Sequence, residues 1–356
     1  MIDLTFGLLG ALLATNQPLA VSNVIQQQTG ITVEVAADPV ARELRDVMLA
    51  DDAAHDEVNG WLHDFDVQPA TNRTSAASAE LTRRIRLRFD GVRQGYRRFL
   101  QNHPDSAKGY LAYGSFLNDT GDEEGAKVQY ENSKQLDPKN PAVWNNLANY
   151  YGEHGPLTNA FKYYAEAIQL QPDEPVYYQN FATTVYLYRQ DAQEFFYLTE
   201  SQVFDKALEL YRQAMRLVPD SLVLASDYAE SYYGIRPLRT NDALVAWTNC
   251  LNIAKDENER EGVQLHLARV KIAAGRFDEA QAHLDAVTNA AYLGLKNQLI
   301  RSLADHKNPP TNAITEMVTN SSVATNPSAA AMNRIVTTTN LPSLDVKPPA
   351  LRGQQP

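Results

Sequence analysis

Pro104, Pro138 and Pro172 follow the triplets QNH, QLD and QLQ at a constant spacing of 34 residues. A fixed period of this length marks a recurring structural unit, and such units must pack on one another because none can bury its apolar face alone. Pro219, after RLV, stands 47 residues further on, so the third unit carries an insertion of 13 residues.

Each unit reads as two helices. In 141–174, Trp144, Leu147, Ala148 and Tyr151 stand at i, i+3, i+4 and i+7, one apolar helical face. Gly155 breaks it. A second helix carries Ala160, Tyr164 and Ala167 on one face and ends at Pro172. The unit 107–140 repeats the pattern with Tyr110, Tyr113, Gly114, Leu117, Gly121, Ala126, Tyr130 and Pro138. The third, 175–221, has Tyr178, Phe181, Ala182 and Tyr186, then Ala207, Tyr211 and Ala214 after the insertion. The fourth, 222–260, has Tyr228, Ala229, Ala243, Trp247 and Cys250. The fifth, 261–290, keeps Leu267, Ala268, Gly275, Ala280 and Leu284.

This order of large, small, Gly, Ala, aromatic and Pro resembles the tetratricopeptide repeat family. The resemblance covers about half the chain and is sharpest over 107–174. It implies an all-α solenoid, a right-handed superhelix of helix–turn–helix units with a concave groove lined by the first helix of each unit. A degenerate leading helix is expected over 79–104 and a capping helix over 292–306. Upstream, 21–77 reads as short acidic helices, two of them within 39–65, followed by a linker at 68–78. Residues 1–20 resemble a signal peptide: Leu4–Ala14 is an apolar run of eleven, too short to span a bilayer, although Asp3 stands where a positive charge is usual. From 307 to 356 the chain is rich in Pro, Thr, Ser and Asn and has no apolar period, which predicts a disordered tail. An exported, periplasmic location is expected, with the cytoplasm as the alternative.

A net charge of −11 argues against nucleic acid or an anionic membrane as the main partner. One segment runs the other way: 81–99 carries seven Arg. Acidic neighbours in 46–66 offer partners for them; an RNA-associated protein using this helix is the contrary reading. The lone Cys250 reads as a small buried side chain. The seven His show no zinc spacing, and DDAAHDE (51–57) lacks the ligand spacing of a calcium loop. No acid–base–nucleophile constellation emerges, so no catalytic residue, metal or cofactor is expected.

What the packing stripe leaves over is polar. Asn145, Asn146 and Asn149, then Gln179, Asn180 and Thr183, then Asp227 and Glu230 fall on the face beside it. Asn146 and Asn180 share one register, 34 apart, like the asparagine ladder by which some family members hold extended peptides. An amide both donates and accepts, so it can grip a peptide backbone without reading its sequence. Cations of the kind that clamp an acidic C-terminus are missing, and the expected partner segment is neutral or basic. Phe195, Phe196 and Tyr197 in the insertion are either packed against neighbouring helices or a docking patch. The expected function is a non-catalytic scaffold binding a segment of another protein. A docking subunit of an enzyme or secretion complex is the alternative.

Overall fold

The computed structural model describes residues 38–69 and 71–308. The signal-peptide-like segment and the tail beyond Asn308 lie outside the described residues. The described residues form helices and turns without a strand. They fall into two compact units divided between Leu217 and Val218.

The first unit holds α1 (Pro39–Asp66), α2 (Ser75–Asn102), α3 (Ala107–Asp119), α4 (Glu123–Leu136), α5 (Pro141–His154), α6 (Leu157–Leu170), α7 (Pro175–Leu187), α8 (Arg189–Phe196) and α9 (Glu200–Leu217). Their starts are written locally. Asp38, Thr74, Ser106, Asp122, Asn140 and Glu174 each accept a hydrogen bond from a backbone N–H of the first turn. Pro39, Pro141 and Pro175 open their helices, where a missing N–H costs nothing. Gly121 (φ 81°) and Gly155 (φ 69°), again 34 apart, turn the chain between paired helices in a region that a side chain disfavours.

α3 packs on α4, α5 on α6 and α7 on α9, and successive pairs stack through α4–α5 and α6–α7. Small residues set the approach within a pair. Ala126, Ala148, Ala160, Ala182 and Ala207 are all buried, at 0–1 % exposure. Gly114 occupies the equivalent position in the first pair: a Cβ there would stand 2.5 Å from the Tyr130 ring and 3.3 Å from the Ala126 carbonyl. Aromatic rings fill the remaining gaps, with Phe116, Phe161 and Tyr164 at 1–2 % exposure.

Instead of two short helices over 39–65, one helix of 28 residues runs through. Its buried stripe, Leu44, Met48, Ala54 and Val58, reads as broken because Asp51 and His55 occupy stripe positions. One polar atom of each is met by a neighbour, Asp51 Oδ2 by α2 and His55 Nδ1 by Asp51. Asp51 accepts a hydrogen bond from the Tyr96 hydroxyl (2.8 Å) and lies 3.0 Å from His55 Nδ1. The contacts Glu43–His103, Asp51–Tyr96 and Glu57–Arg88 run in opposite sequence directions, so α1 and α2 are antiparallel. Five of the seven arginines are engaged within the chain: Arg83 with Glu80, Arg88 with Glu57, Arg93 with Asp122, Arg97 with the Tyr113 hydroxyl, and Arg84 over the Trp61 ring.

In the insertion, α8 is a short helix and Thr199 with Gln202 forms a capping box that starts α9. The second unit holds α10 (Leu222–Ser231), α11 (Thr240–Ile253), α12 (Glu257–Ala273), α13 (Phe277–Asp285) and α14 (Leu293–Lys307). The fifth repeat's first helix therefore begins four residues before 261, because Asp256 caps it through the Glu259 N–H. Cys250 is buried, and burial pushes its thiol up to about 12, which suits a packing role.

Gly114→Ala is predicted to destabilise the protein by about 1–3 kcal/mol, since the added methyl meets a buried ring and a carbonyl. Gly60→Ala, helical with open space around it, is predicted to be neutral or to stabilise by up to about 1 kcal/mol. Chemical unfolding of both variants checks the pair.

Candidate functional site

In the first unit the polar face splits into two kinds of residue. Asn145 is buried (5 % exposed). Its Nδ2 donates to Asn146 Oδ1 (3.3 Å), and its Oδ1 accepts from Asn180 Nδ2 (3.1 Å). The amides expected to form two separate rungs are thus linked, through Asn145, into a bridge between α5 and α7. Asn149 accepts from the buried Tyr164 hydroxyl at 2.7 Å, and Thr184 donates to that same hydroxyl at 3.2 Å. Asn145 therefore serves the joint between repeats first, and Asn149 the pairing of α5 with α6, because an unsatisfied amide at that depth is costly. Asn146, Gln179, Asn180 and Thr183 remain half-exposed. The Thr183 hydroxyl bonds that of Tyr211 (2.8 Å).

The same unit carries an acidic seam, of which the repeat register reveals Asp119 and Glu153 but not Asp51 or Asp52. Asp51 and Asp52 of α1 flank His55, and Asp119 at the end of α3 acts on the same imidazole. Burial, with Asp51 beside it, pushes the Asp52 carboxyl up to about 6. Asp119 reaches solvent, yet desolvation by the surrounding chain also raises it to about 6, His55 opposing and Asp51 reinforcing the shift. Across the Thr120–Asp122 turn follow Glu123, Glu153 and His154. His154 Nε2 is 2.7 Å from Glu123 Oε2, while His154 Nδ1 lies 3.0 Å from the Tyr150 carbonyl. Burial and Glu123 raise the Glu153 carboxyl. Ligand-type atoms of Glu123, Glu153 and His154 lie within 4.8 Å of one another. They are the residues that could hold a cation, on an open corner rather than in a closed cage. The sequence signals were DDAAHDE and the acids after each first helix; only the fold makes them neighbours.

Phe195 and Phe196 are half-buried, with ring centroids 5.3 and 5.4 Å from Phe161, so they belong to the core of the third repeat rather than to a docking patch. Their segment folds back because Tyr197 takes a left-handed turn (φ 55°), and Tyr197 is left 94 % exposed.

Asp227 and Glu230 lie in the second unit, both half-exposed. Burial and Asp227 push Glu230 up to about 7, with Arg269 opposing. The Arg269 guanidinium sits 4.2 Å from the Tyr233 ring centre, and Tyr233, Trp247 and His266 form an aromatic stack. Burial and Arg269 hold His266 neutral, at about 3.

The geometry is that of a helical repeat protein, and comparison with known proteins agrees. The tetratricopeptide repeat profile matches residues 141–174, the same span as the sharpest unit of the period. Among solved structures, the chain is similar to PilF of Pseudomonas aeruginosa, at 17 % identity and a TM-score of 0.46, over 72 % of this chain and 99 % of that one. It is similar to PilW, described as a widely conserved type IV pilus biogenesis factor, at 11 % identity and a TM-score of 0.47, over 66 % and 100 %. It also resembles a thermophilic tetratricopeptide protein of Thermus thermophilus, at 20 % identity and a TM-score of 0.39, over 56 % and 100 %. No curated protein matches by sequence. The chain is a tetratricopeptide repeat protein in fold, and such folds are generally non-catalytic scaffolds for protein contact.

Asn145→Ala is predicted to lower stability by about 1–3 kcal/mol, since it leaves Asn180 Nδ2 without its partner at a half-buried joint. Thermal and chemical unfolding measure it; an unchanged midpoint would remove Asn145 from the joint.

Proposed function

We propose that this chain is a non-catalytic scaffold that lays an extended segment of another protein across the first-helix face of the first unit. The observation that carries the reading is the half-exposed row of Asn146, Gln179, Asn180 and Thr183 on adjacent repeats, with Asn146 and Asn180 held by the buried Asn145 bridge and Thr183 by Tyr211. Amides fixed by their neighbours give up little rotamer freedom on binding, which favours backbone gripping. The partner segment is neutral or basic, because the acids beside this row repel an acidic one. Export to the periplasm is part of the proposal. It rests on the apolar run Leu4–Ala14; no helix among the described residues is long and apolar enough to cross a membrane.

Site-specific photocrosslinking in cells tests the binding face. A crosslinker at Gln179 is predicted to trap a discrete protein partner. One at Leu87, which is 57 % exposed on α2, is predicted to trap none. Equal capture at both positions, or none at Gln179, would contradict the reading. Sequencing the mature N-terminus tests export: an intact Met1 would remove that part alone.

A further inference from the structure

A groove of about 420 Å³ runs between α1 and α2. Val47, Ala50 and Val92 give it an apolar lining, and Gly91 and Gly95 of α2 complete it. The two glycines stand one helical turn apart inside a helix of 28 residues, where glycine weakens the helix. The pairing of α1 with α2 does not ask for them. A Cβ added at Gly91 would meet nothing within 4 Å, and one at Gly95 would meet Val47 Cγ1 at 3.5 Å, an ordinary contact. Gly114 is the opposite case, with a ring 2.5 Å from the added Cβ. The glycines of α2 thus keep open a channel that the described helices leave unfilled, and Ala50 and Gly91 are exposed in it. Two charges on its rim are engaged within the pair, Glu43 with His103 and Arg88 with Glu57. Asp46 faces solvent, and Arg98 forms no ion pair among the described residues.

We infer that this groove is the seat of the chain's own residues 31–37, ITVEVAA, laid back along α1 as an extended strap. They run directly into Asp38, the cap of α1, so the occupant is tethered beside its site. Ile31, Val33 and Val35 alternate with Thr32 and Glu34, the period at which an extended chain turns one apolar face inward. An extended chain advances about 3.3 Å per residue and a helix about 1.5 Å, so each strap residue passes about two of α1. Val35 to Ile31 then come level with about residues 45–53 of α1. The α1 side of the groove runs from Glu43 to Ala50, so the reach fits. Glu34 falls level with about residue 47. Arg98 stands across from α1 between Glu43 and Asp51, because α1 and α2 pair Glu43 with His103 and Asp51 with Tyr96. The strap's carboxylate therefore meets the rim cation that lacks an ion pair. Gly91 and Gly95 let the strap's backbone approach α2 more closely than any side chain would allow.

The strap covers apolar surface on the leading helix pair, the kind of surface that a terminal unit of a repeat stack otherwise leaves to water. The groove shares no residue with the amide row of α5 and α7, so the inference stands or falls apart from the scaffold reading. It is equally separate from export, since the signal-peptide-like segment ends at residue 20, before the strap begins. A second copy of the chain suits the groove less well. A channel of this size offers little of the roughly 800 Å² a side that a stable dimer buries.

The test uses the full chain, with Ala50→Cys as reporter of the groove and Gly60→Cys as control, in open space further along α1. The natural Cys250 is buried and stays out of the reaction. Alkylation by a maleimide is followed by mass spectrometry. Ala50→Cys is expected to react about tenfold more slowly than Gly60→Cys, because the reagent must wait for the strap to open. Adding Val33→Asp and Val35→Asp is expected to bring the two rates together and to lower the melting temperature. Gly91→Leu tells a filled groove from an empty one while leaving the strap's own sequence intact. In an empty groove the better helix former keeps or raises the melting temperature. A seated strap is displaced instead, so the melting temperature falls and Ala50→Cys becomes reactive. Equal rates at the two cysteines, or protection unmoved by the paired Asp substitutions, overturn the inference. So does protection that fades on dilution as the molecular mass halves, which would assign the groove to a second copy.

Discussion

Everything in the first unit depends on how closely two helices can approach at Gly114, Ala148 and Ala182, and at their partners Ala126, Ala160 and Ala207. These positions recur with the period of the prolines, and all are buried. A large side chain at any of them would push the pair apart and strand the aromatic rings that close the joint, among them Phe116, Phe161 and Tyr164. Because each pair buries its second helix against the first helix of the next pair, one loosened joint exposes apolar surface on two units.

The close approach also decides where polar groups can go. On α5 the stripe consumes Leu147 and Ala148 and brings Asn145 to the neighbouring repeat, where Asn180 meets it. The amides just outside the joint inherit a fixed geometry from it. The acids gather at the ends of the same first helices, where the turns of successive repeats are neighbours. Binding surface and packing surface are thus adjacent faces of the same helices, and the repeat that builds one positions the other.

The period was legible because its carriers are local: a proline stop, a positive-φ glycine and small residues at helical spacing all leave a mark on the sequence. Capping was legible for the same reason, as Thr199 and Gln202 show. The long helix Pro39–Asp66 was not, because Asp51 and His55 break its apolar stripe in sequence and find their partners only in α2 and in each other. The acidic seam was hidden likewise: Asp52 and Asp119 are 67 residues apart and become neighbours only when α1 folds against α3. Asn145 looked like groove surface because a one-residue step around a helix separates the buried joint from the exposed row. Phe195 and Phe196 could be read either as core or as docking aromatics until the turn at Tyr197 fixed their direction.

The most direct measurement is amide hydrogen exchange, read peptide by peptide, on the natural chain and on Ala148→Leu. If close packing at the small residues holds successive repeats together, the added bulk deprotects α5 and α6 together with the adjoining α4 and α7, while α14 keeps its protection. Unchanged exchange across α4 to α7 would contradict the account.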